Sequence, residues 1–144
     1  MTNNSNFNAA LEEFKKSVVR AAKGKWNRKY DKNHHRIYTV AGAYVRYNMS
    51  MDHNRWYEDR SKYYEEYCQI MQDRYSALYP NNRLGDRVGV NQHLGNCAEQ
   101  HACNRVLMAD DRLGVSNVMF TKAYRVRTAQ VVPYCAVCKS LFAL

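Results

Sequence analysis

The chain has 144 residues, of which 46% are hydrophobic and 24% are charged. This balance suits one folded domain spanning 1–144 and excludes a disordered tail. The net charge of +9 favours a polyanionic partner, and residues 1–50 carry most of it, with ten Lys and Arg against three acids.

The N-terminal part predicts a helix followed by a strand. An amphipathic, basic helix is predicted over residues 7–23, because Leu11, Phe14 and Val18 recur at three- and four-residue spacing. Residues 36–47 are rich in Ile, Tyr, Val and Thr, which favours a strand, although the same residues also fit a helical stripe.

The rest of the chain predicts helices alternating with strands. A Tyr-rich helix is expected over 54–79, ending at Pro80. The later predicted elements are a strand at 87–91, a helix at 96–109, a strand at 115–124 and a helix at 135–141. This alternation favours an α/β architecture over a bundle or a sandwich.

Aromatic side chains interleave with the basic residues of the N-terminal third. They are Trp26, Tyr30, Tyr38, Tyr44 and Tyr47. Cations for phosphates and flat rings for bases are what a surface for single-stranded nucleic acid needs. The alternative is a solvated basic helix face with ordinary core tyrosines.

Three of the five cysteines have the spacing of a metal site. Cys135 and Cys138 form a CxxC pair at a predicted helix start, where two sulfurs share one turn and free backbone N–H groups favour the thiolate. Cys97, at the start of the preceding helix, can supply a third ligand. Three protein ligands leave the fourth position of Zn²⁺ open for water, which is the catalytic arrangement.

Glu99 is the candidate catalytic residue. It lies two residues after Cys97, so its carboxylate can reach the same pocket without binding the metal and can transfer protons there. The competing interpretation is a closed structural zinc site, with Cys103, His101 or His93 as the fourth ligand. Otherwise Cys103, like Cys68, is expected to be a packing thiol.

These motifs resemble the zinc-dependent cytidine deaminase superfamily. Its signature is His or Cys, one residue, Glu, and later Pro-Cys-x-x-Cys. Cys97-Ala98-Glu99 matches the first part, and the run from Pro133 to Cys138 matches the second with one extra residue after the proline. The resemblance covers 86–141 and is greatest to the deaminase domains of bacterial polymorphic toxins.

The resemblance implies a role for each matching residue. Cys97, Cys135 and Cys138 would bind Zn²⁺, and Glu99 would shuttle the proton. The substrate would contact Asn91, the backbone N–H of Ala98, and the carbonyl near Pro133 or Tyr134, whose ring would also line the pocket.

The implied fold is a three-layer, cytidine-deaminase-like α/β fold, with a central mixed sheet flanked by helices. The superfamily fold continues past the CxxC helix with two more strands, but only six residues follow Cys138 here. Either the sheet is reduced at its C-terminal end, or region 48–85 supplies a replacement.

The expected function is deamination of cytosine to uracil in single-stranded nucleic acid, with DNA favoured over RNA. The domain would act as an interbacterial toxin, neutralised by a cognate immunity protein. It would work in the cytoplasm of the target cell, since the sequence predicts neither a signal peptide nor a membrane span. The alternatives are a deaminase of a free nucleoside or nucleotide, and a non-catalytic, zinc-stabilised binding module.

Overall fold

The computed structural model describes residues 3–144, with side chains from residue 6 onward. Five helices, seven strands and one 3-10 turn follow one another in this part of the chain. The helices are α1 Asn3–Lys23, α2 Ser61–Glu66, α3 Gln69–Leu78, α4 Ala98–Ala109 and α5 Ala136–Phe142. The strands are β1 Thr39–Val45, β2 Asn48–His53, β3 Arg87–Gly89, β4 Gln92–His93, β5 Met119–Phe120, β6 Ala123–Arg125 and β7 Val131–Val132, and the 3-10 turn is Val115–Asn117.

Five strands form one sheet between two layers of helices. The order is β2-β1-β6-β7, and β5 also pairs with β1. On one face Val40 packs with Val18 and Ala22 of α1. On the other face Ala41 packs with Ala98 of α4. Because successive strand residues point to opposite faces, β1 is covered on both sides, which explains its nearly continuous burial.

Close packing against α1 explains a glycine in the middle of β1. A Cβ at Gly42 would lie 2.6 Å from the Phe14 ring and 2.9 Å from the Thr121 side chain. Two hydrogen bonds also join Thr121 to Gly42. The Thr121 N–H donates to the Gly42 carbonyl, and the Thr121 hydroxyl oxygen accepts from the Gly42 N–H. The absent side chain therefore lets α1 and the sheet approach closely.

The α/β class is confirmed, and the helices predicted at 7–23, 96–109 and 135–141 are present as α1, α4 and α5. All the pairings of the main sheet are antiparallel in the described residues, so the sheet is not the mixed one that was expected. The region 48–85 does contribute a strand, since β2 extends the sheet beside β1.

The single helix predicted over 54–79 is wrong. Residues 54–60 precede the first helical turn, and the rest divides into α2 and α3. The break lies where Asn104 of α4 takes the place of intrahelical partners: its amide donates to the Glu66 carbonyl and its oxygen accepts from the Cys68 N–H, both at 2.8 Å. A buried side chain thus overrides local helix propensity.

Two predicted strands also need correction. Residues 87–91 form only β3, which pairs with β4 in a separate hairpin, and Asn91 lies in its turn at φ 58°. Residues 115–124 divide into the 3-10 turn, β5 and the start of β6. No helix of the described chain combines the length and the apolar character that crossing a membrane requires.

Candidate metal centre and active site

Two helix starts bring three cysteines together. Cys97 immediately precedes α4, Cys135 immediately precedes α5, and Cys138 lies in its first turn. Their sulfurs all lie within 4.8 Å of one another, and the Cys97 and Cys135 sulfurs are 3.2 Å apart. The structure therefore brings all three predicted ligands into one cluster.

The cluster fits a thiolate-bound metal ion. Tetrahedral ligands at a Zn–S distance of about 2.3 Å are about 3.8 Å apart, which lies within the observed range of separations. Hydrogen bonds from Cys138 and Cys97 lower the pKa of the Cys135 thiol, and donation to Cys135 raises the pKa values of Cys97 and Cys138. The three thiols therefore cannot all lose their protons easily on their own. A divalent cation would allow it, because metal binding displaces the remaining thiol protons.

A fourth protein ligand does not join the cluster within the described residues. The Nδ1 atom of His101 lies 2.8 Å from a carboxylate oxygen of Glu66. His93 Nδ1 lies 3.0 Å from the Gly85 carbonyl oxygen, and Cys103 is buried in the core. This arrangement favours an open three-ligand site over the closed structural one.

A cavity of about 520 Å³ lies beside the cluster. It is lined by two of the candidate metal ligands, Cys97 and Cys135, and by three other predicted site residues, Glu99, Asn91 and Pro133. Asn91 reaches it from the hairpin turn rather than from a strand. A cavity of this size is typical of a site for a small molecule or one nucleotide.

Two predicted substrate-binding residues, Ala98 and Tyr134, are not among the residues that line the cavity, although their neighbours in the chain are. Ala98 is fully buried as the first residue of α4 and does not line the cavity. Tyr134 also does not line it, and its hydroxyl donates to the Thr121 carbonyl at 3.0 Å. The contact with Thr121 connects the segment that carries Cys135 to the loop between β5 and β6.

Glu99 is buried, with 4% of its surface exposed, yet it lines the cavity. Burial raises its pKa to about 7, and the nearby Cys135 sulfur adds to the effect. A carboxyl group in such an environment can both accept and donate a proton near neutral pH.

Gln100 supports the cluster from behind. Its side chain is fully buried; its amide nitrogen donates to the Cys138 sulfur at 3.4 Å, and its oxygen accepts from the Tyr75 hydroxyl at 2.5 Å and the Gly95 N–H at 2.9 Å. Sequence reasoning missed this residue. The signal was its spacing, since a residue three positions after Cys97 faces the same side of the helix.

Arg55 forms part of the cavity wall and was also missed. Its guanidinium binds both carboxylate oxygens of Asp52 and one oxygen of Glu66, each at 2.7 Å. Its backbone N–H donates to the carbonyl of Asn96, the residue before Cys97. No spacing rule connects these residues, because three separate elements bring them together.

The basic, aromatic segment before β1 forms another part of the wall. The cavity is lined by four of its residues, His34, His35, Arg36 and Tyr38, and by Thr39 at the start of β1. None of the residues of α1 does so among those that the structure describes. Of the basic N-terminal third, only residues within 34–39 therefore line the cavity beside the cysteine cluster.

Comparisons with known proteins give no match to a family model, a curated protein or a solved structure. The resemblance to the deaminase superfamily therefore depends on the motifs and on the arrangement of the residues that carry them.

Proposed function

We propose that this protein is a zinc-dependent deaminase that converts cytosine to uracil in single-stranded nucleic acid, with DNA favoured over RNA. One observation carries the proposal. A buried carboxyl group, Glu99, lines the same cavity as two thiols of an open three-cysteine cluster. A structural metal site would not require a buried carboxyl group there.

In this proposal Cys97, Cys135 and Cys138 hold the zinc. The bound ion would supply an activated water nucleophile at neutral pH. Glu99 takes a proton from the attacking water and delivers it to the amino nitrogen of the ring. A C–O bond forms, the C–N bond breaks, and cytosine plus water gives uracil plus ammonia.

The cavity supports a base as the group that enters. Asn91 offers an amide group at its wall, and Trp56 offers an exposed ring. Amides can hydrogen-bond the edge of a base while rings stack on its face. A single-stranded substrate avoids the energy of extruding a paired base, which is a few kcal/mol.

The test compares wild type with Glu99→Gln, which keeps the shape of the side chain and removes its acid–base function. Glu65→Gln is the matched control, because Glu65 is an exposed glutamate on α2. Each protein is assayed for bound zinc and for uracil formation in single-stranded DNA, single-stranded RNA and free cytidine.

We expect equal zinc in all three proteins and about 10²- to 10⁴-fold less uracil with Glu99→Gln. Wild type that binds zinc but forms no uracil on any substrate would exclude catalysis and leave the binding module. Activity confined to free cytidine would identify a monomer deaminase; its rate should depend little on salt, unlike that on a polynucleotide.

A further inference from the structure

A second cavity, of about 500 Å³, adjoins the one beside the cysteines. We call it the basic groove; its charged lining residues are Lys29, Arg36, Arg125 and Arg127. No acidic residue lines it. Arg36 and Tyr38 line both cavities, so the groove borders the candidate active site.

Strand geometry places Arg125 of β6 on the face that carries the candidate active site. Ala123 lines the metal cavity, and Arg125 is paired with Thr39, which lines it too. Because side chains alternate along a strand, Arg125 projects from the same face as Ala123. Val126, between the two arginines, packs instead against α1.

The charges of the groove are not neutralised by the protein. Within the part of the chain that the structure describes, none of its four basic residues forms an ion pair. The Lys29 ammonium lies over the Tyr30 ring and the Arg36 guanidinium lies over the Tyr38 ring, 5.5 Å and 5.1 Å from the ring centres. These contacts leave the positive charge available to an anion.

An aromatic ring stands where the two cavities meet. Tyr38 is 47% exposed, and its position is fixed by its backbone, whose N–H donates to Asn54 and whose carbonyl accepts from Val126. An occupant that matches this surface combines repeated negative charges with a flat, stackable group. Single-stranded nucleic acid has both properties.

We propose that the basic groove binds the phosphodiester backbone next to the target nucleotide, and that the neighbouring base stacks on Tyr38. The assignment of the first cavity to the target base rests on the proposed function. The groove thereby gives the strand one path across the surface, over β6 and past Arg36 into the active site.

The test measures binding of labelled oligothymidylate and oligouridylate to the zinc-loaded full chain by fluorescence anisotropy at several salt concentrations. Neither strand contains cytosine, so binding is separate from deamination. The groove variant is Lys29→Ala with Arg125→Ala. Its control is Lys62→Ala with Arg83→Ala, which also removes one lysine and one arginine charge, but from exposed residues outside the groove.

Arg127 is left intact because its side chain also donates to the carbonyl of Asn27, in the loop that follows α1. Losing two phosphate contacts should reduce the slope of log affinity against log salt by about 1.4 in the groove variant and leave the control at the wild-type slope. Tyr38→Ala should bind about 5- to 140-fold more weakly, and Tyr38→Phe nearly as wild type. Thermal unfolding checks that each variant is folded.

Tighter binding of one strand than the other supports the proposal and identifies DNA or RNA as the source of the phosphates. Equal losses in the groove and control variants would overturn it, because only total charge would then matter. Wild type that binds neither strand would also overturn it and favour an acidic protein surface as the occupant. If the wild type shows no deaminase activity but the groove variant still loses the expected slope, the groove proposal stands and only the proposed chemistry is excluded.

Discussion

Replacing Gln100 with leucine tests whether the cysteine cluster depends on its buried support. The substitution keeps the bulk of the side chain but leaves two buried donors, the Tyr75 hydroxyl and the Gly95 N–H, without their acceptor. Each orphaned donor costs about 1–3 kcal/mol, so the free energy of unfolding should fall by about 2–6 kcal/mol. The Cys138 sulfur also loses its donor, which should weaken zinc binding about 10- to 100-fold.

The assays are urea unfolding of the metal-free protein and zinc competition with a chromophoric chelator. Tyr75→Phe added to Gln100→Leu removes one orphaned donor and should restore about 1–3 kcal/mol. The control is Gln69→Leu on the exposed side of α3, where the amide only donates to Asp73 and the change should be within about 0.5 kcal/mol. The reasoning would be refuted if Gln100→Leu were as stable as the control, or if the double variant were no more stable than Gln100→Leu alone.

Four further predictions concern acid stability, a strained glycine, metal removal and toxicity. Burial raises the pKa of Glu66, but contacts with His101 and Arg55 outweigh burial and lower the pKa below its ordinary 4.5. Its stabilising effect is present above pH 4.5 and is lost progressively as the pH falls from there through the lower pKa of the folded state, so Glu66→Gln should flatten the acid limb of urea midpoints measured against pH. Gly95→Ala should reduce the free energy of unfolding in urea by about 1–3 kcal/mol, because φ is +91° and the added Cβ would lie 2.9 Å from the Tyr63 ring. A chelator should lower the melting temperature of the zinc-loaded protein in a scan, since the metal binds the folded state. Expression in bacteria should kill or mutate the cells with wild type but not with Glu99→Gln, and a cognate immunity protein should suppress the effect; equal survival together with equal mutation frequency would contradict the toxin prediction.

The sequence predicted the cysteine cluster well because short-range rules govern it. Cys135 and Cys138 share one helical turn whatever the rest of the chain does, and Cys97 and Glu99 stand at a second helix start. Periodicity likewise identified α1, because apolar residues recur along it at three- and four-residue spacing. Only the pairing of the two helix starts required the fold.

The errors arose where distant residues determine local structure. Asn104 interrupts the Tyr-rich helix from another element, and nothing within 54–79 indicates it. No particular strand was predicted within 48–85, yet residues 48–53 form β2 because β1 offers them a free edge. The role of Arg55 in the cavity wall was missed for the same reason, since its partners lie on β2, on α2 and in the loop before α4.

The clamp around Arg55 has a consequence for how the cavity receives a ligand. Its guanidinium binds Asp52 and Glu66, and its backbone N–H donates to the residue next to Cys97. These bonds connect this wall directly to the segment that carries a thiol of the cluster. A group that enters loses its own hydration but does not have to order this side chain. Because two carboxylates hold the guanidinium, this wall already has a fixed shape before a ligand enters.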